Sequence, residues 1–188
     1  MNTALVIIDM QNDFVLPGAP LCVKGAQATV PTIRELLDRA RAEGWHVIHV
    51  VREHRRDGSD VEAGRACLFT EGPGICVPGT EGARVVQELS PLPDEIILRK
   101  RRFSAFFHTE LDMLLRRLRV ETLLITGTQY PNCVRGTAVD AMSLDYRPIV
   151  VTDACSAQTE EVAASNIRDM KNMGIPCVPL AELASVLS

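Results

Sequence analysis

The sequence is poor in the features that mark membrane proteins and nucleic-acid-binding proteins. No apolar run approaches the roughly 18 residues that span a bilayer, and no positively charged leader precedes the first apolar run, which begins at Thr3. The formal net charge is -4 at pH 7, and its signs are intermixed, without a basic stripe for nucleic acid or a polybasic segment for a membrane surface. We therefore expect a cytoplasmic protein that acts on a small molecule, with neither a nucleic acid nor a membrane as its partner.

The chain also lacks internal repeats, low-complexity runs and any shift of composition along its length. Its 188 residues are enough for one domain with a sizeable core. The sequence therefore predicts a single domain that spans residues 1–188.

Cysteine pairs at the spacing of redox or metal sites are absent too. Six cysteines are scattered along the chain, without a C-x-x-C pair, at Cys22, Cys67, Cys76, Cys133, Cys155 and Cys177. In a chain without a secretory leader we expect reduced thiols. Because free cysteine behaves as a small and often buried hydrophobe, most of the six should be packing residues. A chemical role for any one of them has to be argued from its position.

Five short apolar runs rich in isoleucine and valine are present, and they predict β-strands that are covered on both faces. They span residues 3–9, 46–51, 95–100, 122–127 and 148–153.

Helical patterns lie between these runs. Apolar residues share one face in each of two patterns, which are Ile33, Leu36, Leu37 and Ala40 in the first and Leu111, Leu114, Leu115 and Leu118 in the second. The first helix should end near Gly44, and Thr109 with Asp112 resembles a capping box for the second. A later helix over residues 160–173 should stop at Gly174, before a short strand within "IPCVPL". This alternation predicts a three-layer α/β/α fold with a mostly parallel, Rossmann-like sheet of about six strands.

Three of the predicted strands lead to reactive side chains. The first run closes on Asp9, the third closes on Lys100, and the fourth leads through a turn to Cys133. Ligands of open α/β sheets bind beyond the carboxyl ends of the strands, so these side chains would converge if the strands are neighbours. Taken singly, each has a simpler interpretation: Asp9 as a turn cap, Lys100 as a solvated cation and Cys133 as a space-filling residue.

Together the three side chains form a coherent catalytic group. A thiol at the start of a helix and beside a cation should have a lowered pKa, which would make Cys133 a thiolate nucleophile next to Lys100. Asp9 would then accept the thiol proton and deliver it to a leaving amine. The four histidines of the sequence have no obvious pairing with Cys133.

Three ordered segments resemble the isochorismatase-like cysteine hydrolases, a family that includes nicotinamidases, N-carbamoylsarcosine amidases, ureidoacrylate amidohydrolases and biuret hydrolases. "LVIIDMQNDF" is similar to the family's opening strand with its catalytic Asp, here Asp9. "KRRFSAFFHTELDMLLR" is similar to the segment with the catalytic Lys, here Lys100. "ITGTQYPNCVRGTAVDA" is similar to the nucleophile segment, with Cys133 as the cysteine. The resemblance covers most of the chain.

The resemblance also implies details that the residues alone do not. In the family, a cis peptide after the fourth strand turns a backbone N–H toward the reacting carbonyl. Mapped by position, this bond is Thr128–Gln129, and the oxyanion hole consists of the N–H groups of Gln129 and Cys133. Relatives are commonly dimers or tetramers, so the resemblance implies a homo-oligomer.

Neither a metal nor a cofactor is expected. In nicotinamidases the loop after the second strand carries an Asp-x-His arrangement and a further histidine for a metal. Here that loop reads "REHRRDGSDVEAGRACLFTEGPG", in which His54 lies near Glu53, Asp57 and Asp60 without the nicotinamidase spacing. A solvated charge cluster is the simpler interpretation.

Candidate substrate contacts form a second group of predictions beside the catalytic trio. Arg52 or His54 would orient a substrate carbonyl or carboxylate, because guanidinium and imidazole groups donate hydrogen bonds to such groups. The other candidates are Phe14, Phe106 and Tyr130 as an apolar wall and Gln158 as an amide partner.

The resulting prediction is a cysteine-dependent amidohydrolase that cleaves a C–N bond of a small amide or ureido compound through a thioester intermediate. Two alternatives are kept. One is an isochorismatase-type vinyl ether hydrolase, although in the family that reaction does not need the thiol. The other is a non-catalytic binding or redox-sensing protein on the same scaffold.

Overall fold

The computed structural model describes residues 2–187, which contain a six-stranded sheet in the order β3-β2-β1-β4-β5-β6. The strands are β1 (Thr3–Ile8), β2 (His46–Arg52), β3 (Ile96–Lys100), β4 (Thr122–Thr128), β5 (Arg147–Ser156) and β6 (Cys177–Val178). All pairings between neighbouring strands of this sheet are parallel. The predicted Rossmann-like sheet is confirmed, and its fifth strand is longer than the sequence pattern indicated.

The α-helices are short apart from the second, fifth and sixth. They are α1 (Asn12–Val15), α2 (Ala26–Glu43), α3 (Cys67–Thr70), α4 (Leu111–Arg117), α5 (Arg135–Ser143), α6 (Glu160–Asn172) and α7 (Leu183–Leu187). Three 3-10 turns span Ala63–Arg65, Gln87–Leu89 and Leu180–Glu182, and one π-helical turn spans Tyr130–Val134. No helix within residues 2–187 combines the length and apolar character that crossing a bilayer would need.

Both faces of the sheet carry a hydrophobic core. In β1, the side chains of Leu5 and Ile7 pack against α2, whereas those of Val6 and Ile8 pack in the core shared with α4, α5 and α6. Every residue of β1 is buried, which explains its continuous apolar run. Full burial of each aliphatic side chain of this size contributes about 1.5–3 kcal/mol. The three-layer α/β/α prediction is therefore confirmed.

Helix ends follow the sequence signals in two cases out of three. Gly44 caps α2 in a left-handed conformation with φ 68°, and Gly174 follows α6 with φ 90°, as the sequence indicated. The capping box predicted for α4 is wrong. Thr109 Oγ1 accepts a hydrogen bond from the N–H of Leu111, but the Asp112 carboxylate accepts one from the O–H of Tyr146 instead of reaching back.

The strand order places the candidate residues at one edge. The order reverses between β1 and β4, and this switch point is where open α/β sheets bind their ligands. β1 and β4 are neighbours, whereas β2 separates β3 from β1. Lys100, at the end of β3, must therefore reach across the end of β2, which is Arg52.

Candidate active site

The three side chains singled out at the strand ends meet beyond the carboxyl edge of the sheet. Nζ of Lys100 lies 2.8 Å from Oδ2 of Asp9 and 3.5 Å from Sγ of Cys133. All three residues are buried, at 0%, 1% and 6% exposure respectively. The structure thus confirms that these three side chains lie close together at one edge of the sheet.

The ammonium group of Lys100 has three hydrogen-bond partners. Besides Asp9 and Cys133, its ammonium donates to the carbonyl oxygen of Arg102 at 3.1 Å. An ammonium group has three donors, so each of them has a partner in this site. The arrangement fixes the position of the cation relative to the sulfur.

Asp9 has one oxygen engaged and one free. Its backbone has a left-handed conformation, with φ 52°, and its N–H donates to the carbonyl oxygen of Val50 at 2.8 Å. Oδ2 pairs with Lys100, whereas Oδ1 is buried without a hydrogen-bond partner among the described residues. This second oxygen is available to accept a proton from a neighbour.

The path from β4 to Cys133 begins at a glycine that no other residue replaces easily. Gly127 has φ 106°, and a Cβ there would collide with the carbonyl oxygen of Ile8 in β1. Thr128–Gln129 is a cis peptide bond, at the position that the family resemblance implied. Cys133 then lies within the π-helical turn.

The expected start of an α-helix at Cys133 is therefore wrong. The π-helical turn covers Tyr130–Val134, and α5 begins only at Arg135. Cys133 thus precedes the first turn of α5 instead of occupying it.

The pKa of Cys133 moves in the direction opposite to the one expected. Burial raises it most, and the negative charge of Asp9 raises it further, against the lowering effects of Lys100 and Arg52. Desolvation disfavours the charged form of the thiol. The resting sulfur is thus a thiol whose proton must be removed during the reaction, which corrects the prediction of a preformed thiolate.

A second ion pair lies on the other side of the sulfur. Nη1 of Arg52 pairs with Oε1 of Glu62 at 2.7 Å, while Nη2 lies 3.7 Å from Sγ of Cys133 and donates to the Arg102 carbonyl at 3.1 Å. Burial alone would lower the pKa of Arg52, but the charges of Asp9, Cys133 and Glu62 raise it. Arg52 therefore remains a cation beside the nucleophile.

The cavity at the cysteine is small. Its volume is about 20 Å³, which is room for about one water molecule. The lining includes Asp9, Phe14, Arg52, Arg65, Gln129 and Cys133. Asp9, Cys133 and Gln129, one of the two residues assigned to the oxyanion hole, thus face the same space.

Two of the six candidate substrate contacts, Phe14 and Arg52, line this cavity. His54 does not: it is buried beside the cavity, with Nδ1 3.3 Å from Oδ1 of Asp60 and its ring edge-on to Phe69. Burial lowers the pKa of His54 most, and the charge of Arg52 lowers it further. His54 thus supports the loop after β2.

The other three candidates also lie outside the cavity lining. Phe106 stacks on Tyr146 at 5.9 Å between ring centroids. Tyr130 is buried in the core and donates its O–H to the carbonyl oxygen of Thr152 at 3.0 Å. Gln158 donates to the carbonyl oxygen of Cys22 at 3.0 Å, and so braces the loop before α2.

The loop after β2 shows no arrangement of metal ligands. Within residues 2–187, no group of three or more His, Cys, Asp or Glu side chains is placed to hold a metal ion. The metal-free mechanism stays a prediction.

Sequence reasoning missed Glu62 and Arg65, which lie in the irregular segment between β2 and β3. Arg65 lines the cavity, and its guanidinium lies 5.1 Å from the ring centroid of Phe103, a further residue that was missed. No periodic pattern marks these positions. Their only signal is the alternation of acids and bases in "HRRDGSDVEAGR".

Comparison with known proteins places the chain among characterised folds. The profile of the isochorismatase domain matches residues 3–182. The crystal structure of an isochorismatase family protein from Desulfovibrio vulgaris superposes with a TM-score of 0.97 and 66% identity, covering 99% of this chain and 98% of the other.

Two curated relatives differ in the activity that their names state. A protein of Arabidopsis thaliana named "probable inactive nicotinamidase" is 45% identical, over 100% of this chain and 97% of its own length. The N-carbamoylsarcosine amidase of an Arthrobacter species is 29% identical, over 90% of this chain and 65% of its own length. The first of these similarities covers the whole chain and therefore includes the segments that line the cavity.

Proposed function

The chain belongs to the isochorismatase domain family, and we propose that it is a cysteine-dependent amidohydrolase. Its substrate is a small amide or ureido compound whose C–N bond is cleaved through a thioester. The observation that carries the proposal is the buried constellation in which Lys100 Nζ lies 2.8 Å from Asp9 Oδ2 and 3.5 Å from Cys133 Sγ. Amidohydrolases among its relatives support hydrolase activity on amides.

The first half of the reaction forms the thioester. As Sγ of Cys133 attacks the substrate carbonyl carbon, its proton passes to Oδ1 of Asp9, the oxygen that has no other partner. The N–H groups of Gln129 and Cys133 donate hydrogen bonds to the carbonyl oxygen as negative charge develops on it, and such a donor typically contributes about 3 kcal/mol. Asp9 then returns the proton to the nitrogen, and the C–N bond breaks.

The second half regenerates the enzyme. A water molecule gives a proton to Asp9 and its oxygen attacks the thioester carbon. The C–S bond breaks, and the proton returns to the sulfur as the acid product leaves. Lys100 keeps the same three contacts throughout, so that the carboxylate and the sulfur do not drift apart while charge moves between them.

The raised pKa of Cys133 sets the character of this mechanism. Because burial and the charge of Asp9 raise the pKa of Cys133, we propose that its proton leaves for Asp9 during each catalytic cycle. Lys100 and Arg52 both lie within 3.7 Å of Sγ and stabilise the thiolate only as it forms.

Ammonia release over a substrate panel tests the proposal. The panel contains nicotinamide, biuret, a ureidoacrylate analogue, carbamoyl amino acids and short aliphatic amides. Cys133→Ala should abolish turnover of any substrate that the native protein cleaves, because no other group supplies the nucleophile. The matched control is Cys67→Ala, which removes an exposed thiol and should keep native turnover. Near-native turnover by Cys133→Ala would remove this residue from the mechanism.

A non-catalytic redox-sensing role is the second candidate. Two observations favour it: the Arabidopsis relative named as probably inactive and the small volume of the cavity. It predicts sulfenic acid at Cys133 after peroxide treatment, together with an absence of ammonia release over the whole panel. Mass spectrometry of the tryptic peptides distinguishes the two roles.

A further inference from the structure

A carboxylate of the protein itself is paired with a cation that lines the catalytic cavity. Glu62 follows β2 by ten residues and reaches back to Nη1 of Arg52 at 2.7 Å. Nη2 of the same guanidinium lies 3.7 Å from Sγ of Cys133. An acid bound to Arg52 therefore lies next to the nucleophile, where part of a substrate must also lie.

The contact between Glu62 and Arg52 leaves hydrogen-bonding capacity unused on both sides. Oε2 of Glu62 and Nε of Arg52 are buried without partners among the described residues. Arg52 itself is 1% exposed, so solvent does not satisfy its Nε. A guanidinium normally binds a carboxylate through two parallel hydrogen bonds, and here only one of them is formed.

A second cation faces the same space. Arg65 lines the cavity and forms no ion pair within residues 2–187. The guanidinium groups of Arg52 and Arg65 lie 5.4 and 5.1 Å from the ring centroid of Phe103. The two arginines thus contact one ring, and Asp9 is the one acid among the residues that line the cavity.

The segment that carries Glu62 and Arg65 must move for a substrate to enter. The cavity holds about 20 Å³, which is far less than an amide substrate occupies. Val61 is buried, but Ala63, Gly64 and Ala66 are exposed, so residues 62–66 can shift outward without uncovering the core. Such a shift breaks the pair between Glu62 and Arg52.

We propose that Glu62 is an internal stand-in for a carboxylate of the substrate, and that Arg52 and Arg65 select amides that carry an acid group close to the scissile bond. This inference rests on the proposed amidohydrolase function for its catalytic consequence. A substrate carboxylate displaces Glu62 and accepts the hydrogen bond that Nη1 of Arg52 otherwise gives to Glu62. Arg65 supplies the second charge.

A neutral amide gains less from the same movement. When Glu62 leaves without a replacement, the buried Arg52 loses its paired acid, although the charge of Asp9 still acts on it. Removal of one partner of a buried ion pair is unfavourable, and an anionic ligand offsets that loss. Residues 62–65 therefore act as a lid that opens more readily for acidic amides than for neutral amides.

Equilibrium binding to the Cys133→Ala protein tests the inference without turnover. The probes are succinamate, an amide with a carboxylate, and butyramide, its neutral analogue of similar length, each titrated by calorimetry. Succinamate should bind at least about tenfold more tightly, which is the change expected from about 1.4 kcal/mol. Equal affinities would overturn the inference.

Two variants in the same background separate recognition from folding. Arg65→Gln should weaken the preference for succinamate over butyramide severalfold. Glu62→Gln should strengthen that preference, because the internal competitor loses its charge. The matched control is Glu43→Gln, which removes an exposed acid with an arginine partner at the same 2.7 Å distance, and which should leave the preference unchanged. If Glu62→Gln reduced the preference, Glu62 would be a structural support and the inference would fail.

Turnover by the native protein with the same two probes distinguishes this inference from the proposed function. If succinamate binds preferentially while neither probe nor any amide of the panel is cleaved, the selectivity stands and the hydrolase proposal fails. If butyramide is bound and cleaved as well as succinamate, the hydrolase proposal stands and the selectivity fails.

Discussion

Two ion pairs flank the sulfur of Cys133, and they differ in how the fold holds them. Asp9 and Lys100 both come from the ends of strands in the sheet, and their side chains are almost fully buried. Arg52 also ends a strand, but its partner Glu62 comes from the irregular segment, and the Glu62 side chain is 17% exposed. The first pair is fixed at both ends, whereas the second is fixed at one end only.

This difference separates a catalytic task from a gating task. A proton relay requires constant distances between the acid, the cation and the sulfur, which a rigid sheet edge supplies. Admission of a substrate requires a contact that can be broken and replaced. The partly exposed pair has the lower cost of opening, because water reaches the acid as it leaves.

Lys100→Met is the change with the largest expected effect. It leaves the Asp9 carboxylate buried without a counter-charge, and removal of one partner of a buried pair typically costs about 3–5 kcal/mol of unfolding free energy. Turnover should fall about 10²–10⁴-fold, because the acid-base step loses its organising cation. Urea denaturation and ammonia release measure the two losses, with the exposed Lys171→Met as the control.

Glu62→Gln is the matched change in the other pair. Since the amide of glutamine still accepts a hydrogen bond from Arg52 and the charge of Asp9 still acts on the guanidinium, the loss of unfolding free energy should be only about 1 kcal/mol. If Glu62→Gln destabilised the protein as much as Lys100→Met does, the two ion pairs would not differ in how the fold holds them.

The two regions also differ in their tolerance of an added methyl group, which gives the next prediction. Gly127→Ala places a Cβ against the Ile8 carbonyl at φ 106°, and it should cost about 3 kcal/mol or more. Gly64→Ala, in the segment that carries Glu62, meets no atom within 4 Å. There the change should be neutral, or stabilising by about 0.4–1 kcal/mol. Thermal and urea unfolding of both variants measure the contrast, and similar losses in the two would contradict it.

The same contrast explains which parts of the site were predictable. Asp9, Lys100 and Cys133 end or follow apolar runs, and parallel strands bring such positions to one edge whatever their separation in sequence. Glu62 and Arg65 are positioned by long-range contacts of an irregular segment. One example is the hydrogen bond from the N–H of Cys76 to Oδ2 of Asp13 at 2.7 Å. Hydrophobic periodicity carries no information about contacts of this kind.

The pKa of Cys133 could not be predicted from the sequence for a related reason. The sequence shows that a cation and a helix lie nearby, and both lower a thiol pKa. It does not show that burial exceeds both effects, or that each cation is already paired with its own acid. The direction of the shift depends on the balance of these contributions, which exists only in the folded structure.

Alkylation by iodoacetamide tests the balance of contributions to the pKa of Cys133. Among the predictions it has the smallest expected effect. The thiolate is the reactive form, so a raised pKa and burial should make Cys133 react more slowly at pH 7.5 than the exposed Cys67. Its labelling should accelerate only as the pH rises above the ordinary thiol value of about 8.5. Peptide mass spectrometry gives both rates, and Cys133→Ser identifies the peptide. Preferential labelling of Cys133 at neutral pH would indicate a preformed thiolate instead of a neutral thiol.

Glu62→Gln sharpens the same measurement. It removes the acid paired with Arg52 while Lys100 keeps Asp9, so the positive charge of Arg52 beside the sulfur is less neutralised. This change should lower the pKa of Cys133 and speed its alkylation at pH 7.5 by about threefold to tenfold. An unchanged rate would mean that Glu62 does not act on the sulfur through Arg52. The second ion pair would then matter only for binding, and the two pairs would share no electrostatic role at the nucleophile.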